Sequence, residues 1–241
     1  MWFALLIPLM VTAVADTTDR QTHTVALPEG RTLTVEVTVG SVRIDGWDRA
    51  EVEIAIERQV PVAADRARLP IVVDETPARV SVRAVQAAGG TDAALRVEIV
   101  IRVPRAALIE RVQILEGRLV LNGFRGGITA DLRRGPIDGT DVAGTLRLET
   151  GIGSVTLNAA RLSAGGLLRL RTFNGDVRLR LAERPANARI LALAMNGEIS
   201  STLPLTMKNS WGPRWGEVTI GSGEPLISLD VVSGTIEIRS P

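Results

Sequence analysis

The sequence predicts an all-β protein, a single-stranded β-solenoid (β-helix-like) built of short strands that turn at glycine corners. The first observation is a glycine at every ninth position in the middle of the chain: Gly117, Gly126, Gly135, Gly144 and Gly153. The second is a short phrase after many glycines, in which apolar residues take the second and fourth positions. The third is a scarcity of rings, since aromatic residues make up 3% of the chain. A fixed period of short alternating strands is typical of stacked repeats.

The alternating phrase predicts the strands of the repeat, at 118–121, 145–148, 154–157, 176–179, 217–220 and 235–238. Successive side chains of a strand point to opposite faces, so the polar positions should face water. A five-residue strand is about 17 Å long, and with four corner residues per strand, two strands make a coil of about 18 residues. We expect these apolar residues to be buried: Leu119, Leu121, Val155, Leu157, Val177 and Leu179.

The chain divides into a less regular β-rich N-terminal part, 16–104, and regular solenoid repeats, 105–241. Long alternating segments in the first part are separated by polar, proline-rich or glycine-rich loops. Pro104 ends the last of these segments, because proline has no N–H to give to a ladder. The N-terminal part is therefore either the beginning of the solenoid or a cap on it.

Residues 1–15 predict a signal peptide. They form a short apolar run that ends in Ala13-Val14-Ala15, a small-x-small site typical of signal peptidase cleavage. The run is shorter than the about 20 apolar residues that span a bilayer. No basic residue precedes it, which leaves open a weak signal, a start further upstream, or a buried N-terminal strand or helix. We expect export to the periplasm or the cell exterior, with no integral membrane span after leader removal.

The order of segments resembles a known bacterial family. A glycine phrase ends in Gly46-Trp47-Asp48, long hairpins follow, and Val103-Pro104 leads into the glycine-centred repeats. Over residues 22–239 this order resembles a family of β-strand-repeat proteins catalogued as a domain of unknown function (type 4097), whose members are often labelled adhesins from their shape. The resemblance implies a β-solenoid in the cell envelope or outside the cell, and it implies no catalytic residues.

Composition excludes several classes of function. The 28 basic and 27 acidic residues leave a net charge of +1, so the chain lacks the excess of positive charge that binding to nucleic acid or to an anionic membrane requires. The chain has no cysteine, which rules out a disulfide scaffold and thiolate chemistry. His23, the single histidine, has no neighbouring carboxylate pair in the sequence. We therefore expect no metal site, and the absence of catalytic and phosphate-binding motifs predicts no catalytic residues and no cofactor.

Acidic residues that face outward are the one feature of the sequence that could make the protein an enzyme. Parallel β-helix lyases and glycosidases act with acidic and basic side chains clustered on one strand face. The alternative is that such residues are solvated corners, because an aspartate side chain bonds the local backbone in turns. The candidates are Asp131, Asp138 and Asp141 on adjacent turns, Arg133 and Arg134 beside them, and Asp176 after a later corner.

The segment 209–216 reads Asn-Ser-Trp-Gly-Pro-Arg-Trp-Gly and is the other irregular feature. Trp211, Arg214 and Trp215 are candidate binding residues that stack on sugar rings or anchor a partner, since Trp and Arg dominate binding hot spots. The alternative is that the two tryptophans fold over an exposed coil edge and hide apolar surface. Trp47 is expected to be a structural plug at the base of the solenoid.

The sequence therefore predicts a non-catalytic exported module, structural or adhesin-like, that contacts a glycan or an envelope protein. The runner-up is a carbohydrate-active β-helix enzyme, a lyase or glycosidase, which would show converging carboxylates with perturbed pKa values. Self-association is a third interpretation, because the segment 234–241 is a strand with no capping helix, and open edges pair with other chains.

Overall fold

The computed structural model describes residues 17–87, 90–208 and 212–241, so the predicted leader and Trp211 lie outside the described residues. The described chain is all-β, with a short 3₁₀ helix at Ala63–Arg68. The strands in chain order are β1 (Thr17–Ala26), β2 (Thr32–Trp47), β3 (Glu51–Val60), β4 (Ile71–Glu75), β5 (Arg79–Ala84), β6 (Arg96–Pro104), β7 (Leu108–Asn122), β8 (Gly127–Arg134), β9 (Ile137–Thr140), β10 (Thr145–Ile152), β11 (Val155–Ala160), β12 (Leu167–Asn174), β13 (Val177–Leu181), β14 (Ala188–Asn196), β15 (Ile199–Ser201), β16 (Thr206–Lys208), β17 (Arg214–Ile220), β18 (Leu226–Ser233) and β19 (Ile236–Arg239).

The strands form two ladders, which share the long strands β2 and β7. Ladder A has the order β4-β5-β2-β7-β8-β10-β12-β18-β14-β17-β16. Ladder B has the order β1-β3-β6-β2-β7-β9-β11-β13-β19-β15. The buried apolar side chains of both ladders belong to one core, which continues across the predicted boundary at 104. That boundary stays a prediction.

The register of the middle strands reproduces the predicted spacing. Thr145 of β10 pairs in parallel with Gly127 of β8, eighteen residues earlier, and Val155 of β11 pairs in the same way with Ile137 of β9. The next step is longer, since Thr145 pairs with Leu167 of β12, 22 residues later. The six apolar residues predicted to face inward are all fully buried, so this part of the prediction is confirmed.

A column of glycines stacks where the chain passes from one ladder to the other. Gly135 has a φ of 134°, and a Cβ atom on it would lie 1.6 Å from the carbonyl oxygen of Gly117. Neighbouring backbones therefore approach more closely than any side chain permits. The hydroxyl of the buried Thr150 donates to the Gly135 carbonyl at 2.8 Å and ties the column to the core. In stacking order the column is Gly40, Gly117, Gly135, Gly153, Gly175, Gly234 and Gly197.

The C-terminal strands do not stack in sequence order. β18 lies between β12 and β14, and β19 lies between β13 and β15, with every one of these pairings parallel. The last two strands therefore fill the interior of the stack. The expectation that 234–241 form an open edge for self-association is wrong, because both sides of β19 already hold hydrogen-bonded neighbours.

The phrase at 217–220 is a strand, but it is not a coil of the parallel stack. It belongs to β17, which runs antiparallel to β14 and carries the short edge strand β16 on its other side. Val218 and Ile220 are half-buried against the core. Alternation sets which face of a strand is buried but not its partner or direction, so the predicted place of this phrase in the repeat is wrong.

Antiparallel strands also begin both ladders, where β1 pairs with β3 and β4 with β5. Trp47 ends β2, which lies inside ladder B between β6 and β7. Its indole N–H donates to the carbonyl of Glu51 at 2.8 Å, and the side chain stays half-exposed. The expectation of a plug at the base of the stack is therefore wrong. Within the described ranges, no helix has the length and apolar character that crossing a bilayer requires.

Candidate functional site

The outward faces of the two ladders differ in the apolar surface that they expose. Among the described residues, every strongly exposed large apolar side chain that belongs to a strand lies on ladder A. The outer face of ladder B carries mainly Arg, Thr, Asn and acidic side chains. The exposed apolar residues on strands are Leu108, Ile152, Phe173, Met195, Met207, Trp215 and Leu226.

Several of these residues meet in one patch at the C-terminal end of ladder A, which we call the apolar patch. Trp215 pairs with Leu193 across β17 and β14. Met195 lies two positions further along β14, in line with a valine of β18 and with Phe173 of β12. Exposed contiguous apolar surface of this kind marks interaction sites on soluble proteins. The members of the patch are Leu191, Leu193, Met195, Phe173, Val232 and Trp215.

Each ring of the apolar patch has a cation beside it. The guanidinium of Arg171 lies 4.9 Å from the centre of the Phe173 ring, and the ammonium of Lys208 lies 5.7 Å from that of Trp215. Lys208 also contacts the Glu217 carboxylate at 2.5 Å, and this hydrogen bond holds the pKa of Glu217 below its ordinary value. Such cations hold the rings in place and give the patch a charged rim.

Of the three predicted binding residues, the structure describes Trp215 and Arg214. Trp215 lies in β17 with 42% of its surface exposed, and its register partner Leu193 shows that it faces outward from a sheet rather than from a loop. Arg214 is exposed beside it, and its guanidinium lies 3.7 Å from the Glu198 carboxylate. Trp211 lies outside the described residues, so its role stays a prediction.

Sequence reasoning missed the rest of the apolar patch. A signal for it is present in β14, where the segment 190–195 is apolar at every position and both faces of the strand must therefore be apolar. Alternation also gives a signal for Phe173, because it occupies the same face of β12 as the outward residues Arg169 and Arg171.

The acidic residues of the enzyme alternative do not converge. Asp131 is exposed on ladder A, whereas Asp138 lies on ladder B and pairs with Arg118 at 2.7 Å. A hydrogen bond from Arg161 lowers the pKa of Asp141, and one from the Thr235 backbone N–H lowers the pKa of Asp176. The general acid of a glycosidase needs a raised pKa, which is the opposite of the shift at Asp141 and Asp176.

A metal site is equally without support in the part of the chain that the structure describes. No cluster of three or more His, Asp or Glu residues there is arranged to hold an ion. His23 lies half-buried on the edge strand β1, opposite Ile54 of β3. Its Nε2 atom is buried without a hydrogen-bond partner among the described residues.

Comparison with known proteins gives only distant likenesses. No family model and no curated protein matches the chain, so membership of the type 4097 family stays a prediction. A "putative cell adhesion protein" of Clostridium sporogenes is 13% identical over 94% of this chain and 100% of its own, with a TM-score of 0.47. A "putative adhesin" of Bacteroides fragilis is 11% identical over 91% and 97%, with a TM-score of 0.35. A "putative lipid binding protein" of Parabacteroides distasonis is 10% identical over 91% and 96%, with a TM-score of 0.26.

Proposed function

We propose that the protein is a non-catalytic, exported β-solenoid that acts as an adhesin-like interaction module of the bacterial cell envelope. Its ligand is a glycan, bound on the outer face of ladder A through the apolar patch. The observation that carries this proposal is that the outer face of ladder A has an apolar patch with two aromatic rings, whereas the outer face of ladder B is polar.

The parallel register supports the solenoid. Successive coils of eighteen residues place equivalent positions in straight rows across the strands, about 4.8 Å apart. A surface of this kind is long, flat and regular, and a linear chain of sugar units can lie along it. Such a surface suits recognition of an extended polymer better than capture of a small molecule, which favours a concave pocket.

The chemistry of the patch supports a glycan. The rings of Trp215 and Phe173 offer flat apolar surface against which the C–H faces of sugar rings pack. The neighbouring cationic groups donate hydrogen bonds to sugar hydroxyl groups, and the carboxylates accept hydrogen bonds from them. Trp is also the residue most enriched in binding hot spots. A protein partner would use the same residues, and the experiment below separates the two.

The test is a pull-down of the full chain on immobilised glycans and on envelope fractions with and without protease treatment. The variant is Phe173→Ala with Trp215→Ala, and the matched control is Arg118→Ala with Val120→Ala on the outer face of ladder B. We expect protease-resistant binding that falls about tenfold or more in the ladder A variant and stays unchanged in the control.

Equal loss in both variants, or no loss in either, would contradict the proposal. Binding that protease treatment of the fractions abolishes would show that the partner is a protein. Urea unfolding of each variant, with midpoints close to wild type, ensures that lost binding reports the surface and not the fold.

A further inference from the structure

A row of arginines crosses the outer face of ladder A next to the apolar patch. Arg147 of β10 pairs in register with Arg169 of β12 on one side and with Thr129 of β8 on the other. The register between β7 and β8 shifts here, so both Glu110 and Arg111 of β7 lie beside Thr129, and Glu110 is 4.0 Å from Arg79. All three guanidinium groups are exposed. We call Arg111, Arg147 and Arg169 the arginine row.

Within the described ranges, none of these three guanidinium groups has a carboxylate within 4.0 Å. On ladder B several outward arginines contact acidic neighbours. Arg102 lies 2.6 Å from Glu53, and Arg118 lies 2.7 Å from Asp138. On ladder A itself Arg171 lies 3.7 Å from Glu149 and Arg83 lies 3.1 Å from Asp74, so the unpaired arginine row stands out on its own face.

The pairing of Arg147 with Arg169 is unfavourable in the free protein. Like charges directly opposite each other on adjacent strands repel and destabilise the sheet. An anionic group between the two side chains removes the repulsion, and the planar guanidinium matches the two oxygens of a carboxylate or the oxygens of a sulfate. The hydroxyl-bearing Thr129 and Ser228 continue the row on either side, and each can donate one more hydrogen bond.

We propose that the arginine row binds the acidic groups of a linear anionic polysaccharide. This inference rests on the proposed function and specifies its ligand, since the row continues across the strands through Ser228 of β18 to Leu191 of the apolar patch. From Arg111 to Arg169 the row spans about 14 Å, three steps between strands. One chain can therefore place acidic groups on the arginine row and an uncharged sugar face on Trp215.

The width of the row favours a single polysaccharide chain over a nucleic acid or an anionic membrane. The next row of outward positions on the same strands carries three carboxylates, Asp131, Glu149 and Asp230, and one arginine, Arg171, which lies 3.7 Å from Glu149. These carboxylates lie about 7 Å further along the strands, where they repel a second line of anionic groups. A basic strip one residue wide therefore suits one acidic chain.

The test measures binding of the full chain to polygalacturonate, with neutral dextran, single-stranded DNA and phosphatidylglycerol vesicles as alternatives. The variant is Arg147→Ala with Arg169→Ala. The control is Arg96→Ala with Arg180→Ala, which removes two ladder B arginines that also lack an acidic contact within the described ranges. We expect wild type to bind polygalacturonate and not dextran, with affinity that falls as salt rises.

The arginine-row variant should bind polygalacturonate about tenfold or more weakly, and the control should bind as wild type does. Its midpoint of urea unfolding should be unchanged or higher, because the substitution relieves like-charge repulsion. Equal affinity in variant and wild type would overturn the inference, as would a lower unfolding midpoint.

Arginine-dependent binding to DNA or vesicles without binding to polygalacturonate would show that the partner class is wrong. Suppose that the protein binds envelope glycans in a way that needs Trp215 and Phe173, but does not bind polygalacturonate. The inference about the arginine row then fails, and the proposed function stands. The opposite result is that polygalacturonate binds through the arginine row while the Phe173→Ala, Trp215→Ala variant still binds every envelope fraction as wild type does. In that case the apolar patch is not the binding site, and the proposed function fails in that respect.

Discussion

Replacing Gly135 by alanine should destabilise the protein far more than a glycine substitution in an open turn. Gly135 belongs to the glycine column, and its new Cβ atom would lie 1.6 Å from the Gly117 carbonyl oxygen. Ordinary contact begins at 3.4 Å, so the neighbouring backbone must move by roughly 2 Å. That movement disturbs the hydrogen bond from the Gly135 N–H to the Ile152 carbonyl, now 2.7 Å long.

The expected cost has three parts. A positive φ of 134° costs an alanine about 1–2 kcal/mol. Overpacking against a backbone costs about 1–3 kcal/mol, and a weakened hydrogen bond costs about 1 kcal/mol. Gly135→Ala should therefore lower the free energy of unfolding by about 3–6 kcal/mol. Gly165 also has a positive φ, 68°, but nothing lies within 4 Å of its Cβ position, so Gly165→Ala should cost only about 1–2 kcal/mol.

Urea unfolding, followed by circular dichroism and fitted for both midpoint and slope, measures the two variants against wild type. The difference between them isolates the close approach of the backbones, because both substitutions carry a positive-φ cost. If Gly135→Ala is no more destabilising than Gly165→Ala, the glycines mark turns alone and the reasoning from the column is refuted.

Two further predictions concern the closing strands and the response to acid. A chain that stops at Ser222 loses β18 and β19 and should fail to fold cooperatively by circular dichroism; a stable, monomeric, cooperatively unfolding product would contradict the interior position of these strands. The truncation removes five side chains from the core, and with them roughly 7–15 kcal/mol of hydrophobic stabilisation, as much as the whole stability of a typical domain. These side chains are Ile227, Leu229, Val231, Ile236 and Ile238. Asp176→Asn should reduce the loss of stability on acidification, measured as urea midpoints from about pH 6 to about pH 2. The hydrogen bond from Thr235 lowers the pKa of Asp176 in the folded state, so its contribution is present above the unfolded pKa and is lost as the pH falls through the folded pKa; an unchanged pH profile would show that Asp176 does not contribute.

Local features of the fold follow from the sequence because they depend on spacing. Leu119 and Leu121 are buried where alternation predicts, and the nine-residue glycine period gives the observed step of eighteen residues between stacked strands. The order of the strands does not follow, because it depends on which edges meet across long separations. Nothing within 217–220 distinguishes an antiparallel strand from a coil of the stack, because its apolar pattern matches that of 235–238.

The candidate site is predictable only where a residue type is informative by itself. Trp215 stands out as one of four tryptophans in the chain, and it does lie on an exposed surface. The arginine row is different, because Arg147 and Arg178 occupy the same place in the same phrase. Only the structure shows that Arg178 contacts Asp176 at 2.5 Å, whereas Arg147 faces Arg169.

The interior position of β18 and β19 constrains how the protein is made. Strand β14 follows β12 in the chain, but the two are separated in ladder A by β18, which is synthesised after both. Until β18 emerges, the backbone groups on the facing edges of β12 and β14 have no partner, and the contact between β12 and β18 closes a loop of 59 residues. Parallel pairing across such a separation is slow. Ladder A is therefore completed only after the last strands of the chain have been synthesised.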